Sequence, residues 1–368
     1  MKKLIVKTLL PLWYKLCCMK RVKNKVLFVE IRGNKISSNY STIIAYLKNV
    51  FIAKGKKIDI QTHFLKLGLC TKFSYFLNCF KLMPKIASAR YVFIDDCSNV
   101  IASLKLRKKT KVIQTWHACG ALKKFGLDTG GKGYYGNEDV VCLSTPNIIP
   151  CYQHAMGLSA DRFYPIGVPR SDVFFQETYM ENCKKLREKL LQGRNKRIIL
   201  FAPTYRGNVE AAKPAVGLNM DLMYKHLGQE YIVLTKFHDA IKKDKNKVHY
   251  RYKDFVYDIS GNWSIEEAMG VCDILITDYS SLIFEYSILN KPAIFYACDL
   301  DEYIEERDFY IDYQKEMPGE ICTSTMEVIK EIKNGYYDAE RMRQFRKKYM
   351  TSCDGHATKR LVDMLFGE

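Results

Sequence analysis

Thr277, Asp278, Ser280 and Ser281 stand where an apolar run, Asp273 to Ile276, gives way to a segment that opens a helix. Hydroxyls and free backbone N–H groups gathered at the positive end of a helix dipole are the chemistry that holds a phosphate. Asp and Ser are also the residues of an ordinary N-cap, so this cluster taken alone reads either way. A second cluster, Gln114 to Gly126, carries Trp116, His117, Cys119, Lys123 and Lys124. An imidazole there suits a general base, and its lysines suit an anion. A third set follows two further apolar runs: Thr204 and Arg206 after Arg197 to Ala202, and Lys236 and His238 after Tyr231 to Thr235. Guanidinium, ammonium and imidazole at such points could stabilise charge on a leaving phosphate. Glu285, in the helix that follows Ser281, is a further candidate. So is Arg170, in Gly167-x-Pro169-Arg170-x-Asp172, which reads either as a phosphate contact or as part of a structural turn with Asp172.

These residues need elements to position them. Short β-branched runs alternate with helical segments: Val26 to Val29, Tyr91 to Ile94, Lys111 to Thr115 and Val140 to Leu143 form one set of strands. Arg197 to Ala202, Tyr231 to Thr235, Phe255 to Tyr257, Asp273 to Ile276 and Ala293 to Tyr296 form a second. Continuous apolar strands between helices imply parallel sheets covered on both faces, hence an α/β fold of two doubly wound, Rossmann-like domains. A charged helical stretch from Glu181 to Arg197, punctuated by Gly193, marks the junction. The expected division is an N-terminal domain over 26–185, a C-terminal domain over 186–345 and a C-terminal helix over 346–368. Ligands of such sheets lie outside the carboxyl ends of the strands, and His117, Arg206, His238 and Thr277 all fall there. A lone histidine after a strand is more often structural than catalytic, but two at equivalent positions of two domains favour a catalytic pair.

The 368 residues, 48% of them apolar, suffice for two cores and argue against disorder. The net charge of +18 suits an anionic partner, whether nucleotide, anionic polymer, acidic lipid or nucleic acid, although a solvated basic surface would give the same sum. Nothing resembling an RNA- or DNA-binding motif supports nucleic acid. The thirteen cysteines are scattered without CxxC spacing, as expected of reduced thiols in a cytoplasmic protein. No His, Asp and Glu spacing of HExxH type suggests a metal, and Asp301 to Asp308 reads as a solvated acidic face. Residues 1–25 hold eight basic residues and no acid, interleaved with Leu4, Ile5, Val6, Leu9, Leu10, Leu12, Trp13 and Tyr14. That run is too short to span a bilayer and lacks a signal-peptide cleavage site, but suits a segment lying on an anionic membrane. Residues 62–86 mix Phe64, Leu65, Phe73, Phe76 and Phe80 with Lys66, Lys72 and Lys81 in the same way. Both segments also suit core helices with snorkelling lysines.

Trp116, His117, Gly120, Lys123 and Lys124; then Ala202, Pro203, Thr204, Tyr205 and Arg206; then Thr277 to Ser281 with Lys291 and Pro292 to Tyr296 occur in an order and spacing that resemble the CDP-glycerol glycerophosphotransferase family. The resemblance runs from about residue 26 to about residue 365. One departure is the run Ala118, Cys119, Gly120, Ala121 where the family has Gly-Thr-Pro after the histidine. The resemblance implies a GT-B fold, with the two domains facing a cleft, and transfer of glycerol phosphate or ribitol phosphate from a CDP-polyol to a hydroxyl of a lipid-linked polymer or saccharide acceptor, with loss of CMP. It implies His117 as base and His238 at the departing CMP. Thr204, Arg206, Lys236, Thr277, Asp278, Ser280 and Ser281 would bind the donor, with Lys123, Lys124, Arg170 and Glu285 as further candidates. Asp278, awkward beside an anion, would cap the loop or meet a sugar or polyol hydroxyl. The expected setting is peripheral, on the anionic inner, cytoplasmic face of the plasma membrane. No cofactor, metal or nucleic acid is expected. A GT-B glycosyltransferase is the alternative, because the fold alone does not choose a donor.

Overall fold

The computed structural model describes residues 5–131, 134–207, 212–237 and 252–367. The chain forms two compact units: Met1–Gly120 with Phe125–Asp172 and Thr351–Glu368, and Ala121–Lys124 with Val173–Met350. Each is built on a six-stranded parallel sheet, the α/β, doubly wound arrangement expected.

In the first unit the strands β1 (Lys25–Glu30), β2 (Asp59–Phe64), β3 (Tyr91–Ile94), β4 (Lys111–Gln114), β5 (Glu138–Cys142) and β6 (Phe163–Tyr164) lie in the order β2-β1-β3-β4-β5-β6. Sequence patterning missed β2 and β6, which are the two edges. β1 and β3 are buried along their whole length, whereas β2 alternates polar and half-exposed residues. One face of the sheet carries Leu27, Val29, Val92 and Ile94 against Leu82, Met83 and Ile86 of helix Lys72–Ala87. The other carries Phe28, Phe93 and Ile113 against Tyr40, Ile43 and Leu47 of helix Ser38–Ala53.

The basic N-terminal segment is part of this packing. Leu10, Tyr14 and Cys17 of helix Leu10–Cys17 join the same core as helix Lys72–Ala87, and Trp13 stacks on Phe80 with ring centroids 4.7 Å apart. The two segments singled out as membrane candidates therefore pack on each other.

In the second unit β7 (Arg197–Phe201), β8 (Tyr231–Thr235), β9 (Val256–Asp258), β10 (Ile274–Thr277), β11 (Ala293–Tyr296) and β12 (Glu320–Cys322) take the order β12-β11-β10-β7-β8-β9. Strand order reverses between β7 and β10 here and between β1 and β3 in the first unit. Such reversals open a crevice at the carboxyl ends of the strands.

The division does not fall after residue 185. Helix Glu177–Leu191 belongs wholly to the second unit because Tyr179 and Cys183 pack at Gly270, where a methyl group would sit 2.4 Å from both. The last part of the chain divides after Met350 rather than after residue 345, since Phe345 stacks on Phe284 and Tyr349 meets the same ring edge-on. From Thr351 onward the tail returns to the first unit. Leu361 and Val362 enter its core, and the Tyr91 hydroxyl donates to the Leu365 carbonyl at 2.8 Å. The Asp172 carboxylate accepts from the backbone of Ala357 (3.0 Å) and Thr358 (2.7 Å), filling the orphan donors of helix Ala357–Phe366. Gly167, at φ +91°, lies so close to the Ser352 carbonyl that any side chain would clash.

Asp172→Ala strips both acceptors from a buried helix start and is expected to cost about 1–3 kcal/mol, read as an earlier urea transition of the first unit.

Candidate functional site

His117 follows β4 in the first unit. Its Nδ1 lies 3.1 Å from the Asp95 carbonyl oxygen. A carbonyl only accepts, so Nδ1 carries the hydrogen and the lone pair of the neutral ring is on Nε2. The side chain is 54% exposed, which leaves that nitrogen open to a substrate proton. Behind the ring stand acids that the motif reading did not single out. Asp96 Oδ1 is 4.0 Å from Nδ1, Asp96 pairs with Arg32, and its Oδ1 accepts from Cys97 N at 2.7 Å. Burial pushes Asp96 up, but the charges of His117 and Arg32 outweigh it and hold the carboxyl below its ordinary range. Asp95 goes the other way: burial, then the negative Glu30 and Asp96, raise it to about 8. Glu30 is also raised by burial, against a 2.5 Å hydrogen bond from Ser37 N. Glu30 ends β1 and Asp95 follows β3, so these two carboxyls sit at the strand-order reversal of the sheet. The signal for them was in the sequence: each is an acid at the carboxyl end of an apolar strand.

In the second unit the reversal gathers Thr204, Arg206, Asp278 and Asp299. Asp278 accepts from Thr204 N (2.8 Å), Thr204 Oγ1 (3.0 Å) and Arg206 Nη1 (2.9 Å). Arg206 grips Asp299 with Nε at 2.6 Å and Nη2 at 3.0 Å, and Tyr279 donates to the same carboxylate at 2.8 Å. The guanidinium carbon stands 4.9 Å from the ring centroid of Tyr279 and 5.2 Å from that of Tyr303. Asp299 is held below the ordinary carboxylate range; burial opposes this, and the Arg206 and Tyr279 hydrogen bonds overcome it.

Lys123 reaches the same network. It forms an antiparallel bridge to Phe309, and its ammonium lies 5.5 Å from the Tyr303 ring centroid. Burial lowers its pKa to about 8, with the Asp278 charge opposing and Arg307 and Arg206 reinforcing the fall. The neighbouring Lys124 is fixed by an ion pair to Asp308. Helix Leu282–Leu289 begins just beyond, with Ser281 as its N-cap. Ser280 and Ser281 are partly exposed, and the Ser281 side chain makes no cap bond. Ser280 Oγ accepts from Leu282 N at 3.4 Å, and Ile283 N and Phe284 N donate to the Ser280 and Ser281 carbonyls, so the two serine hydroxyls and the helix dipole are what this turn offers an anion.

A sequence model of the CDP-glycerol:poly(glycerophosphate) glycerophosphotransferases matches residues 12–367. The chain belongs to this family. It is 35% identical to the teichoic acid poly(ribitol-phosphate) polymerase of Bacillus spizizenii over 93% of its own length and 56% of that protein's. Identity to the teichoic acid ribitol-phosphate polymerase TarL of Staphylococcus aureus is 33%, covering 94% of this chain and 62% of TarL. The chain thus spans little more than half of these two polymerases. It spans 90% of the teichoic acid ribitol-phosphate primase of Bacillus spizizenii, at 30% identity over 93% of this chain. The wall teichoic acid polymerase TagF has the same GT-B type of fold, with a TM-score of 0.74 at 21% identity over 99% of this chain and 94% of that one.

For this glycerophosphotransferase-family chain, several expected donor contacts are placed differently. Thr277 is fully buried and donates to the Ala202 carbonyl at 2.7 Å, so it ties β10 to the end of β7 rather than facing a phosphate. Arg206 gives its nitrogens to two carboxylates, and 17% of its side chain is exposed. Thr204 and Asp278 serve the same knot, whereas the residue at the helix N-cap is Ser281. Lys236 donates to the Trp263 carbonyl at 2.9 Å, and Arg170 to the His117 carbonyl at 2.7 Å instead of to a phosphate. Glu285 is buried in its helix. His238 lies outside the described residues. Among the described residues no group of three or more His, Cys, Asp or Glu side chains is arranged to hold a metal ion.

Arg206→Ala would leave Asp278 and Asp299 as buried, uncompensated charges and is expected to cost about 3–5 kcal/mol. Chemical denaturation would read this as loss of the second unit's stability, with Arg206→Lys intermediate because it cannot serve both carboxylates bidentately.

Proposed function

We propose that this chain transfers a polyol phosphate, glycerol phosphate or ribitol phosphate, from a CDP-polyol to a hydroxyl of a membrane-linked, teichoic-acid-like or capsular acceptor. The observation that carries this is the half-exposed His117 ring, its Nδ1 hydrogen spent on a carbonyl and its Nε2 left as a base, in a chain of this family. As the acceptor oxygen bonds to the polyol-bearing phosphorus, its proton passes to Nε2. The bond from that phosphorus to the oxygen of CMP breaks, and CMP leaves with the electron pair. Such a transfer needs positioning and charge stabilisation more than covalent chemistry. The ionised Asp96 steadies the imidazolium that forms. Ser280, Ser281 and the helix start behind them receive the donor phosphates, and the Lys123 ammonium offsets charge on the leaving group. His238 is the proposed second imidazole.

Incubation with CDP-glycerol or CDP-ribitol and a lipid-linked acceptor should release CMP and add a phosphopolyol mass to the acceptor. Transfer of a hexose from a nucleotide sugar would instead establish the glycosyltransferase reading. His117→Ala is expected to lower CMP release by about 100- to 10,000-fold, the usual worth of a general base. Lys123 is cationic below its pKa of about 8 and neutral above it, so donor KM should rise as pH passes upward through 8. That rise should vanish in Lys123→Met.

The proposal places the protein peripherally on the anionic cytoplasmic face of the plasma membrane. Supporting this, Leu12 and Leu16 are exposed on helix Leu10–Cys17, with Leu9 just before it and Met19 just after, and Phe73 and Leu77 are exposed on the helix packed on it, with Leu69 in the turn before. Exposed Lys7, Lys15, Lys20, Lys66 and Lys72 surround them. Apolar side chains ringed by cations suit the boundary of an anionic bilayer, where each basic residue adds about 1 kcal/mol. Among the described residues no helix is long and apolar enough to cross a membrane. The full chain should co-sediment with phosphatidylglycerol vesicles and much less with phosphatidylcholine. Leu12→Glu with Phe73→Glu should cut that binding at least about tenfold, the scale of two buried apolar side chains; unchanged binding would count against the surface.

A further inference from the structure

We propose that Asn39 and Arg170 are positioning residues for His117, a clamp that fixes the direction of the imidazole; this rests on His117 being the base. Trp116, the residue before it, has φ +58°. The left-handed region is an outlier for a bulky side chain and persists only where the surroundings impose it. Here they do so from several sides. The Gln114 side-chain oxygen accepts from Trp116 N at 3.0 Å, and Asn39 Nδ2 donates to the Trp116 carbonyl at 2.6 Å. Arg170 Nη1 donates to the next carbonyl, that of His117, at 2.7 Å. Asn39 Oδ1 in turn accepts from Arg170 N at 2.9 Å, which joins the two halves of the clamp.

Asn39 is only 3% exposed, and its amide uses both ends, one as donor and one as acceptor. The Trp116 ring is wedged against Phe125 and Tyr152, with centroids 5.2 and 6.0 Å away, so the peptide cannot relax by swinging the indole out. Both carbonyls that flank the His117 Cα are thus gripped from outside their own strand. With the backbone so fixed, the ring meets the Asp95 carbonyl through Nδ1 and presents Nε2 outward. The clamp also accounts for Arg170 without a phosphate: its cation neutralises no ligand charge but holds the main chain of the base.

Kinetics of the full-length protein separate this from a donor contact. In Arg170→Met and Asn39→Ala, kcat for CMP release should fall about 10- to 100-fold, the effect of a catalytic group displaced by about an ångström. KM for the CDP-polyol should stay within about twofold, and Arg170→Lys, which keeps a donor, should recover most of the loss. A raised donor KM with kcat intact in Arg170→Met would make Arg170 a phosphate contact and overturn the clamp, as would unchanged kcat in both variants. The ring-nitrogen NMR spectrum of His117 reads the same point without turnover. Wild type should show one Nδ1–H tautomer and Arg170→Met an exchange-averaged ring; identical spectra would overturn the proposal. Should wild type release no CMP from either donor, polyol-phosphate transfer fails while the spectrum still decides the clamp.

Discussion

The Arg206 guanidinium, shared between Asp278 and Asp299, is the interaction on which the second unit's site depends. Strand order reverses at β7 and β10, so the loops leaving these strands run to opposite sides, and beyond the main-chain bond from Ala202 N to the Ile276 carbonyl at 2.9 Å they are tied by side chains. Asp278 follows β10, Arg206 follows β7 and Asp299 follows β11. One planar fork, matched to two carboxylates and set beside the stacked rings of Tyr279 and Tyr303, joins all three. A lysine could not do this, because a point charge on a flexible stem holds no plane. The knot also decides what remains for a ligand. With Thr204, Arg206 and Asp278 bonded to one another and Thr277 to the Ala202 carbonyl, Ser280, Ser281 and the Lys123 ammonium are the groups on which the proposed donor contact draws.

The first unit answers the same topological problem in the opposite sense. Its reversal also collects acids, Glu30 from β1 and Asp95 and Asp96 from the end of β3, and Arg32 is paired there as a fixed cation through Asp96. Charge there is relieved by protonation instead. Asp95 is lifted to about 8 while Asp96 stays ionised, so neighbouring carboxyls are driven apart by which of them holds the cation. A site of this kind is poised to receive a proton on an adjacent imidazole, because the ionised member already lies 4.0 Å from it. One unit neutralises its acids to make a rigid cradle; the other leaves one acid charged beside a base.

Central strands were legible because they are buried on both faces and read as unbroken apolar runs. The strands that patterning missed, β2, β6 and β12, are all edges, where half-exposed polar residues or a length of only two or three residues erase the period. Which residues gather at the strand ends was also legible, since chain order and strand ends suffice for that. Their duties were not. Arg206 and Thr277 stand in a motif that suggests phosphate, and nothing in its spacing says that Asp299, 93 residues along from Arg206, would claim the guanidinium. Arg170 was open between a phosphate contact and a turn with Asp172, and its bond to the His117 carbonyl, beside the strained Trp116 peptide, could be read from neither. Long-range pairing of charges carries no local periodicity, so it escapes any reading that works from windows of sequence.

The N-terminal helix illustrates a different ambiguity. Its leucines and lysines suit both a core and a bilayer, and the two readings turn out to concern different faces of one element. Leu10, Tyr14 and Cys17 point into the unit, at a spacing of three to four residues, while Leu9, Leu12 and Leu16 form a second stripe at the same spacing on the other side. The inner stripe is sufficient to dock the helix, as the Trp13 stack on Phe80 and the hydrogen bond from the indole nitrogen to the Phe80 carbonyl attest. Folding therefore does not require the outer stripe to be apolar. In water it costs solubility and returns no packing, and on a soluble enzyme it would more economically be lysine or glutamate. An outer stripe of leucines on one helix beside Phe73 and Leu77 on its neighbour, fringed with lysine, is the feature on which the proposed contact with an anionic membrane rests.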